Sequence, residues 1–384
     1  MSKNIIAKVF EAVKALITRR VVIRCDNIPY EFNNVPLRKI VNWILVELSV
    51  YFKPQRPWGW PTHFQIEPAN TCNLSCVLCP VYEGMDRKSG MLDIAVFRKL
   101  IDEAGDYIFL ILLWDWGEPF MNPDVYSMIS YAKKKGIKVV SSTNGHFFVK
   151  EENADRLIRS GIDSIIFAMD GITQETYSRY RSGGELESVI KALSTVVSRK
   201  RDLNSKTPFI NLRFIPMKHN EHEMPELKDM ARSIGVDALT IKTLNPCTND
   251  TYALKRPGKD RSPQDLMPDN YNHRRFKYKD DGQTLIRRKK NPCKQLWNSP
   301  VIHWDGTVCF CTYDYNDKYA LGSIKGETFW NVWSGRSYRD VRRQFRYDWE
   351  QMAMCSACSY AYEGGSCIDE TIADAFFFGP EKGV

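Results

Sequence analysis

The sequence predicts an α/β protein: a parallel sheet of six strand–helix units, a helical N-terminal extension and a small, cysteine-rich α+β C-terminal unit. Three observations lead there. Short apolar runs alternate with helical patterns from residue 62 onward, glycines close the helices just before the next run, and polar motifs gather at the ends of the runs. The 384 residues, 43% hydrophobic, 12% aromatic and 26% charged, are ordinary for folded domains and exclude a disordered, collagen-like or coiled-coil chain. Eleven cysteines without an export signal point to a reducing cytoplasm, where clustered thiols serve metals or chemistry rather than a disulfide scaffold.

Taken in order, residues 1–22 read as a basic amphipathic helix, with apolar positions at 5, 6, 9, 10, 13, 16 and 17. A second apolar stretch covers 40–52, and Pro54, Pro57, Gly59 and Pro61 then mark a boundary. Both stretches suit packing against a larger domain, and both are able to lie on a membrane surface, so peripheral membrane contact is an expectation carried forward. Strands are expected near 63–68, 107–115, 137–142, 162–169, 208–216 and 236–243, with helices over 93–104, 125–135, 151–160, 186–200 and 224–234. Gly105, Gly136, Gly161 and Gly235 stop four of those helices. The expected units are therefore an extension over 1–60, the α/β unit over 61–245, a basic linker over 246–292 and a C-terminal domain over 293–384. The linker reading follows from 13 Lys+Arg against 5 Asp+Glu within 251–300, broken by Pro257, Pro263 and Pro268. Without a groove or an aromatic platform, that charge does not predict nucleic-acid binding.

Parallel α/β folds place their sites in the loops after the strands. Here the first such loop holds Cys72, Cys76 and Cys79, the second Trp116-Gly117-Glu118-Pro119, the third Ser142-Thr143-Asn144-Gly145 and the fourth Asp170-Gly171. Cys72-x3-Cys76-x2-Cys79 puts three thiols within eight residues, enough for three corners of an iron–sulfur cluster with one iron left open. A structural zinc knot would need a fourth Cys or His close by, and none is there.

These residues resemble the radical SAM superfamily, over about residues 60–245. The resemblance implies a partial (β/α)6 TIM-like barrel, a [4Fe–4S] cluster on Cys72, Cys76 and Cys79, and S-adenosylmethionine (SAM) bound at the open iron. It implies reductive cleavage of SAM to a 5′-deoxyadenosyl radical that abstracts hydrogen from a substrate carbon, with a reducing protein such as flavodoxin or ferredoxin as electron source. Carried over residue by residue, Gly117 and Glu118 form the turn that meets the SAM amino group, although Trp116 stands where the family often has a further glycine. Leu78 meets adenine through its backbone, Ser142 and Asn144 face the ribose and methionine moieties, and Arg213 pairs with the SAM carboxylate. Ala168 replaces a serine frequent in the family.

Towards the C-terminus, Cys293, Cys311 and Cys355-x2-Cys358 resemble the auxiliary-cluster modules called SPASM and twitch, which implies one auxiliary [4Fe–4S] cluster on those four thiols. Gly306 marks the hairpin turn, and a helix is expected over 328–345. Cys309 and Cys367 fall short of a full second auxiliary set; Cys25 and Cys247 read as ordinary thiols. A zinc ribbon is the alternative for the four thiols. The resemblance implies an oxidoreductase-type enzyme acting on a small polar, glycan-like or lipid-linked substrate. A peptide maturase and a non-catalytic iron–sulfur electron carrier are the alternatives. His303 and Asp305 are the candidates for a substrate base.

Overall fold

The computed structural model describes residues 3–26, 28–82, 85–245, 263–282, 284–364 and 376–377. Helix α1 (Lys3–Thr18) leads into a hairpin of β1 (Val21–Cys25) and β2 (Ile28–Phe32), and α2 (Leu37–Phe52) follows. The extension is thus helical at both ends but holds a hairpin between them. Its inward residues Val21, Ile23, Ile28, Tyr30 and Phe32 alternate with exposed Val22, Arg24, Pro29 and Glu31, a two-residue period that no helix can satisfy.

Next come the six units: β3 (His63–Ile66), α3 (Ile94–Ala104), β4 (Leu110–Leu112), α4 (Val125–Lys134), β5 (Lys138–Thr143), α5 (Glu151–Arg159), β6 (Ser164–Ala168), α6 (Gln174–Tyr180), α7 (Leu186–Asp202), β7 (Phe209–Phe214), α8 (Met224–Ile234) and β8 (Ala238–Ile241). The strands pair in parallel in that order, as a partial barrel requires. Helix α6 is an addition to the expected pattern, capped by Thr173, whose hydroxyl accepts from Thr176 N.

The C-terminal unit continues the barrel sheet. α9 (Gln295–Asn298) precedes β9 (Val301–Ile302), which runs parallel to β3; β10 (Thr307–Cys309) and β11 (Gly322–Ser323) extend the sheet antiparallel. α10 (Phe329–Ser334), α11 (Arg336–Asp348) and α12 (Ala353–Ser356) complete the module, and β12 (Phe376–Phe377) pairs with β8 at the far edge. The expected linker is packed where it is described. Leu266, Met267 and Phe276 are buried, and the buried Arg275 donates to the Thr243 hydroxyl at 3.0 Å and carbonyl at 2.9 Å. Its prolines and charges suggested solvent, but these side chains join it to the end of β8. Residues 246–262, with Cys247, lie outside the described residues.

Alternation along the strands gives the sheet two apolar faces. Phe64, Ile111, Val139, Phe167, Leu212 and Leu239 pack under the helices. On the opposite face Phe109, Leu110, Val140 and Ile166 pack against the β1–β2 hairpin and Ile40 of α2. Each such buried side chain contributes about 1.5–3 kcal/mol, so the hairpin is held as a plug in the barrel, closing it from the N-terminal ends of the strands. Among the described residues no helix is long and apolar enough to cross a membrane.

Candidate active site at the barrel mouth

The three-thiol loop leaves β3 and is fastened to three other strand-end loops. Glu118 N donates to Thr71 O at 2.8 Å, tying it to the loop after β4. Asn144 Nδ2, after β5, lies 3.7 Å from Cys72 Sγ and donates to Asn73 Oδ1 at 2.8 Å. Ser75 N donates to Ser182 O at 2.9 Å and Val77 N to Tyr180 O at 3.0 Å, tying the loop to the segment after β6. All nine described cysteines are free thiols, so no disulfide competes with metal binding among them. Loss of hydration pushes the Cys72 thiol up to about 11 and Cys79 up to about 12, with the neighbouring thiols adding to both shifts. Three soft donors on one short loop suit an iron–sulfur cluster, whose cationic iron would offset the cost of ionising Cys72 and Cys79.

Gly117 and Glu118 form the next wall. Gly117 has φ +89°, and a Cβ there would stand 2.4 Å from Ala69 O and 2.8 Å from Thr71 O, so only glycine lets this turn lie against the cysteine loop. Trp116 does not share that positive φ. Its indole instead donates to Thr312 O at 2.7 Å and meets Tyr315 edge-on at 5.8 Å, so the residue that departs from the family pattern joins the barrel to the C-terminal module. Glu118 is buried and accepts from Asn144 N at 2.8 Å, the Thr143 hydroxyl at 3.0 Å and Phe120 N at 3.3 Å. Burial outweighs those donors and lifts its carboxyl to about 7. A carboxylate offers about four acceptor positions, so one remains for a further donor.

Of the other expected residues, Asn144 lies between Glu118 and Cys72, Ser142 sits on β5 in register with Ile166, and Leu78 packs beside Met217 and Leu266. Arg213 departs from expectation. From β7 it points at the plug, where its guanidinium pairs with Asp26 at the tip of the β1–β2 hairpin, both side chains buried. The arginine beside the thiols is Arg181, just after α6. Its Nε and Nη2 each lie 2.6 Å from Asp170 Oδ2, and its Nη1 lies 3.9 Å from Cys76 Sγ. A lone arginine reads as surface in a sequence. The signal that would have found it is the buried Asp170 at the end of β6, which requires a cation nearby.

Cys311, Cys355 and Cys358 are buried and Cys293 half-buried, all within the C-terminal module. An antiparallel bridge between Arg287 and Tyr362 draws the approach to Cys293 against the exit from Cys358. Cys309 takes another course, its thiol 3.4 Å from Asp317 Oδ1 and 3.9 Å from His303 Nδ1. His303 is fully buried, with Nδ1 2.5 Å from Asp317 Oδ1 and Nε2 3.6 Å from Asp115 Oδ2. Burial alone would lower its pKa, but Asp115 and Asp317 overcome that and hold it well above the usual imidazole range. Glu67, at the end of β3, accepts two bonds from Arg87 at 2.9 and 2.7 Å, and Arg87 Nε donates to Tyr315 O at 2.6 Å. His303 is therefore the centre of a charged joint between barrel and module rather than a group open to substrate. Asp305 is occupied in the hairpin turn, where it accepts from Thr307 N at 3.0 Å. Cys367 lies outside the described residues.

Comparison with known proteins agrees with this architecture. The model of the radical SAM superfamily matches residues 66–231, and that of SPASM, an iron–sulfur cluster-binding domain, matches residues 293–359. The tungsten-containing aldehyde ferredoxin oxidoreductase cofactor-modifying protein of Pyrococcus furiosus is 25% identical over 333 residues, covering 82% of this chain and 89% of that protein. The mycofactocin maturase MftC of Mycobacterium tuberculosis is 24% identical over 323 residues, 80% of this chain and 77% of that protein. Among solved structures, Streptococcus suis SuiB bound to its precursor peptide SuiA shares the fold with a TM-score of 0.58 at 15% identity, over 96% of this chain and 86% of that one. The two domains bring their cofactors with them: a [4Fe–4S] cluster and SAM in the barrel, and auxiliary iron–sulfur in the module. With both models matched in this order along the sequence, the chain belongs to the radical SAM superfamily as a member with a C-terminal SPASM domain.

Proposed function

We propose that the chain is an oxidoreductase-type radical SAM enzyme that modifies an unactivated C–H bond of a small polar, glycan-like or lipid-linked substrate. In this reading Cys72, Cys76 and Cys79 hold the first cluster, Gly117, Glu118, Leu78, Ser142 and Asn144 hold SAM, and Cys293, Cys311, Cys355 and Cys358 hold the auxiliary cluster. When bound, cluster and SAM supply one-electron cleavage and the carbon radical that takes the substrate hydrogen, with flavodoxin or ferredoxin as the source of the electron. The observation that carries the reading is the single hydrogen-bonded patch joining Cys72, Asn144 and Glu118 at the strand ends.

The chain's own groups have definable work. Glu118 keeps one acceptor position for an ammonium donor, and Asn144 fixes both Glu118, through its backbone N–H, and Cys72, through its side-chain amide. Arg181, anchored on Asp170, holds positive charge beside Cys76, which favours an anionic ligand or a carboxylate there. The Trp116 contact with Thr312 and Tyr315 closes the module over the mouth, which keeps water from the reacting carbon.

Two observations bear on the substrate. The extension's hairpin is spent on plugging the barrel, which favours a substrate that needs no separate recognition module. The likeness to the mycofactocin maturase supports a second reading, a peptide maturase. Anaerobically reconstituted protein, reduced with SAM, is expected to release 5′-deoxyadenosine, and Cys76→Ala to abolish that release while Cys355→Ala spares it and stops product formation. Release that survives Cys76→Ala refutes the assignment. Deuterium transfer into 5′-deoxyadenosine from labelled polyols, glycans or peptides then identifies the substrate class.

A further inference from the structure

Both N-terminal helices leave a stripe of large apolar side chains in solvent. On α1 the side turned to the protein carries Lys8, which pairs with Glu47 of α2 at 2.6 Å, half-buried Ala12 and buried Ala15. Val9, Phe10, Val13 and Ile17 are 55%, 69%, 48% and 76% exposed, and helical spacing puts them on one stripe with Leu16. Helix α2 buries Ile40 and Val46 against the protein, yet it also leaves an apolar stripe outside while polar side chains share its inner face. Its other buried positions are Lys39, Asn42 and Ser49. Asn42 accepts from Trp60 N at 2.8 Å and donates to Trp60 O at 3.0 Å, and the Ser49 hydroxyl accepts from Trp58 N at 3.2 Å. Leu37, Val41, Leu48 and Phe52 are the residues left in solvent. Lys8 meets Glu47 while Ala15 shares a buried cluster with Ile40, so the helices run antiparallel.

Exposed apolar stripes on two neighbouring helices need a cover. The charge around the patch identifies which. Residues 1–60 carry ten Lys+Arg against four Asp+Glu, and Lys14, Arg20, Arg24 and Arg56 are exposed, while exposed Arg38 is paired with Asp106. A second copy would bring the same positive charge, whereas an anionic lipid surface complements it. Trp58, 44% exposed and 5.6 Å from the Phe52 ring, and the exposed Tyr51 add the amphipathic aromatics that suit a headgroup layer. We infer that α1 and α2 form a monotopic foot that lies in the headgroup layer of an anionic membrane, with the plugged end of the barrel against it and no segment crossing. This surface is independent of the chemistry proposed for the mouth.

The test is flotation of the full-length protein, purified anaerobically, with vesicles of phosphatidylcholine alone or of phosphatidylcholine and phosphatidylglycerol in equal parts. Binding to the anionic vesicles is expected to exceed binding to neutral ones by roughly tenfold and to fall as salt rises. The double variant Phe10→Glu, Ile17→Glu, at exposed positions, is expected to reduce binding by about tenfold or more with circular dichroism and melting temperature unchanged. Leu48→Glu on α2 gives the same reading if the double variant fails to fold. Absence of anionic enrichment, or full binding by both variants, overturns the inference. A lipid-independent dimer that the variants dissociate also overturns it, by giving the face to a second copy.

Discussion

The two ends of this barrel bury polar groups in similar density but for different ends. At the mouth Glu118, Asn144, Asp170 and Arg181 converge on the thiol loop, and their bonds position other polar groups. In the N-terminal extension Asp26, Lys39, Asn42 and Ser49 are also buried, yet their partners are Arg213, the Phe109 ring, the Trp60 backbone and Trp58 N, which fasten the plug from the floor up to the end of β7. Burial of polar side chains alone therefore does not locate a site. What distinguishes the mouth is that its hydrogen bonds end at groups with unused coordinating or accepting capacity, whereas those of the extension close on themselves.

The strongest way to break this contrast is Gly117→Ala. The added methyl meets the Ala69 carbonyl at 2.4 Å in a backbone conformation that alanine resists, so the variant is expected to lose about 4 kcal/mol and its iron at the first site. Melting temperature and iron content read both effects, and full iron at an unchanged melting temperature refutes the fit of turn to loop. Next is Arg213→Gln, where the tip of the plug meets the end of β7. Leaving Asp26 buried without its cation is expected to cost about 3 kcal/mol in urea unfolding while SAM cleavage per folded molecule stays at the parent rate. A raised KM for SAM would instead return Arg213 to the mouth.

Most of the barrel was legible in the sequence because strand–helix alternation and stop glycines are local signals. The thiol loop was legible for the same reason, its three cysteines lying within eight residues. The hairpin was lost because the apolar positions of α1 run almost without a break into Val21 and Val22, where the period changes from helical to alternating. The joint between barrel and module was invisible for a different reason. Glu67, Arg87, Asp115, His303 and Asp317 come from five separate places, and no spacing rule relates them until β9 pairs with β3. Arg213 pairs with Asp26, and Arg181, which no motif singled out, stands by the thiols instead, because register along a strand does not say which buried carboxylate captures an arginine.

That joint supplies the third test. His303→Ala leaves the buried Asp115 carboxylate and the half-buried Asp317 with less positive charge and is expected to cost about 2–3 kcal/mol. The pH dependence has a definite sign. The folded-state pKa of His303 lies above its unfolded value of about 6.5, so its contribution is complete below that pH and disappears as pH rises through the folded-state value. Urea unfolding of both proteins across pH should show their stability difference shrinking on the alkaline side, and a difference that grows there would refute the charged joint.

The smallest effect belongs to the floor and has the opposite sign. Lys39 is buried under α2 with its ammonium 4.6 Å from the Phe109 ring, and loss of hydration lowers its pKa to about 8, Asp106 offsetting little of that. Below that pH the ammonium is charged in both folded and unfolded chains, so the fold bears the whole desolvation cost, of order 3 kcal/mol for a shift of that size. The cation–π contact returns about 1–2 kcal/mol of it. Lys39→Met keeps the apolar stem, removes the charge and the contact together, and is expected to stabilise the protein by about 1–2 kcal/mol at neutral pH. Since the unfolded chain holds this proton up to about 10.5, wild-type stability rises relative to the variant between about 8 and that value, and the gain should vanish across the same window. Thermal melts of the pair across that range decide it: a gain independent of pH would mean that the substituted methionine acts by packing alone and that the ammonium of Lys39 is not desolvated.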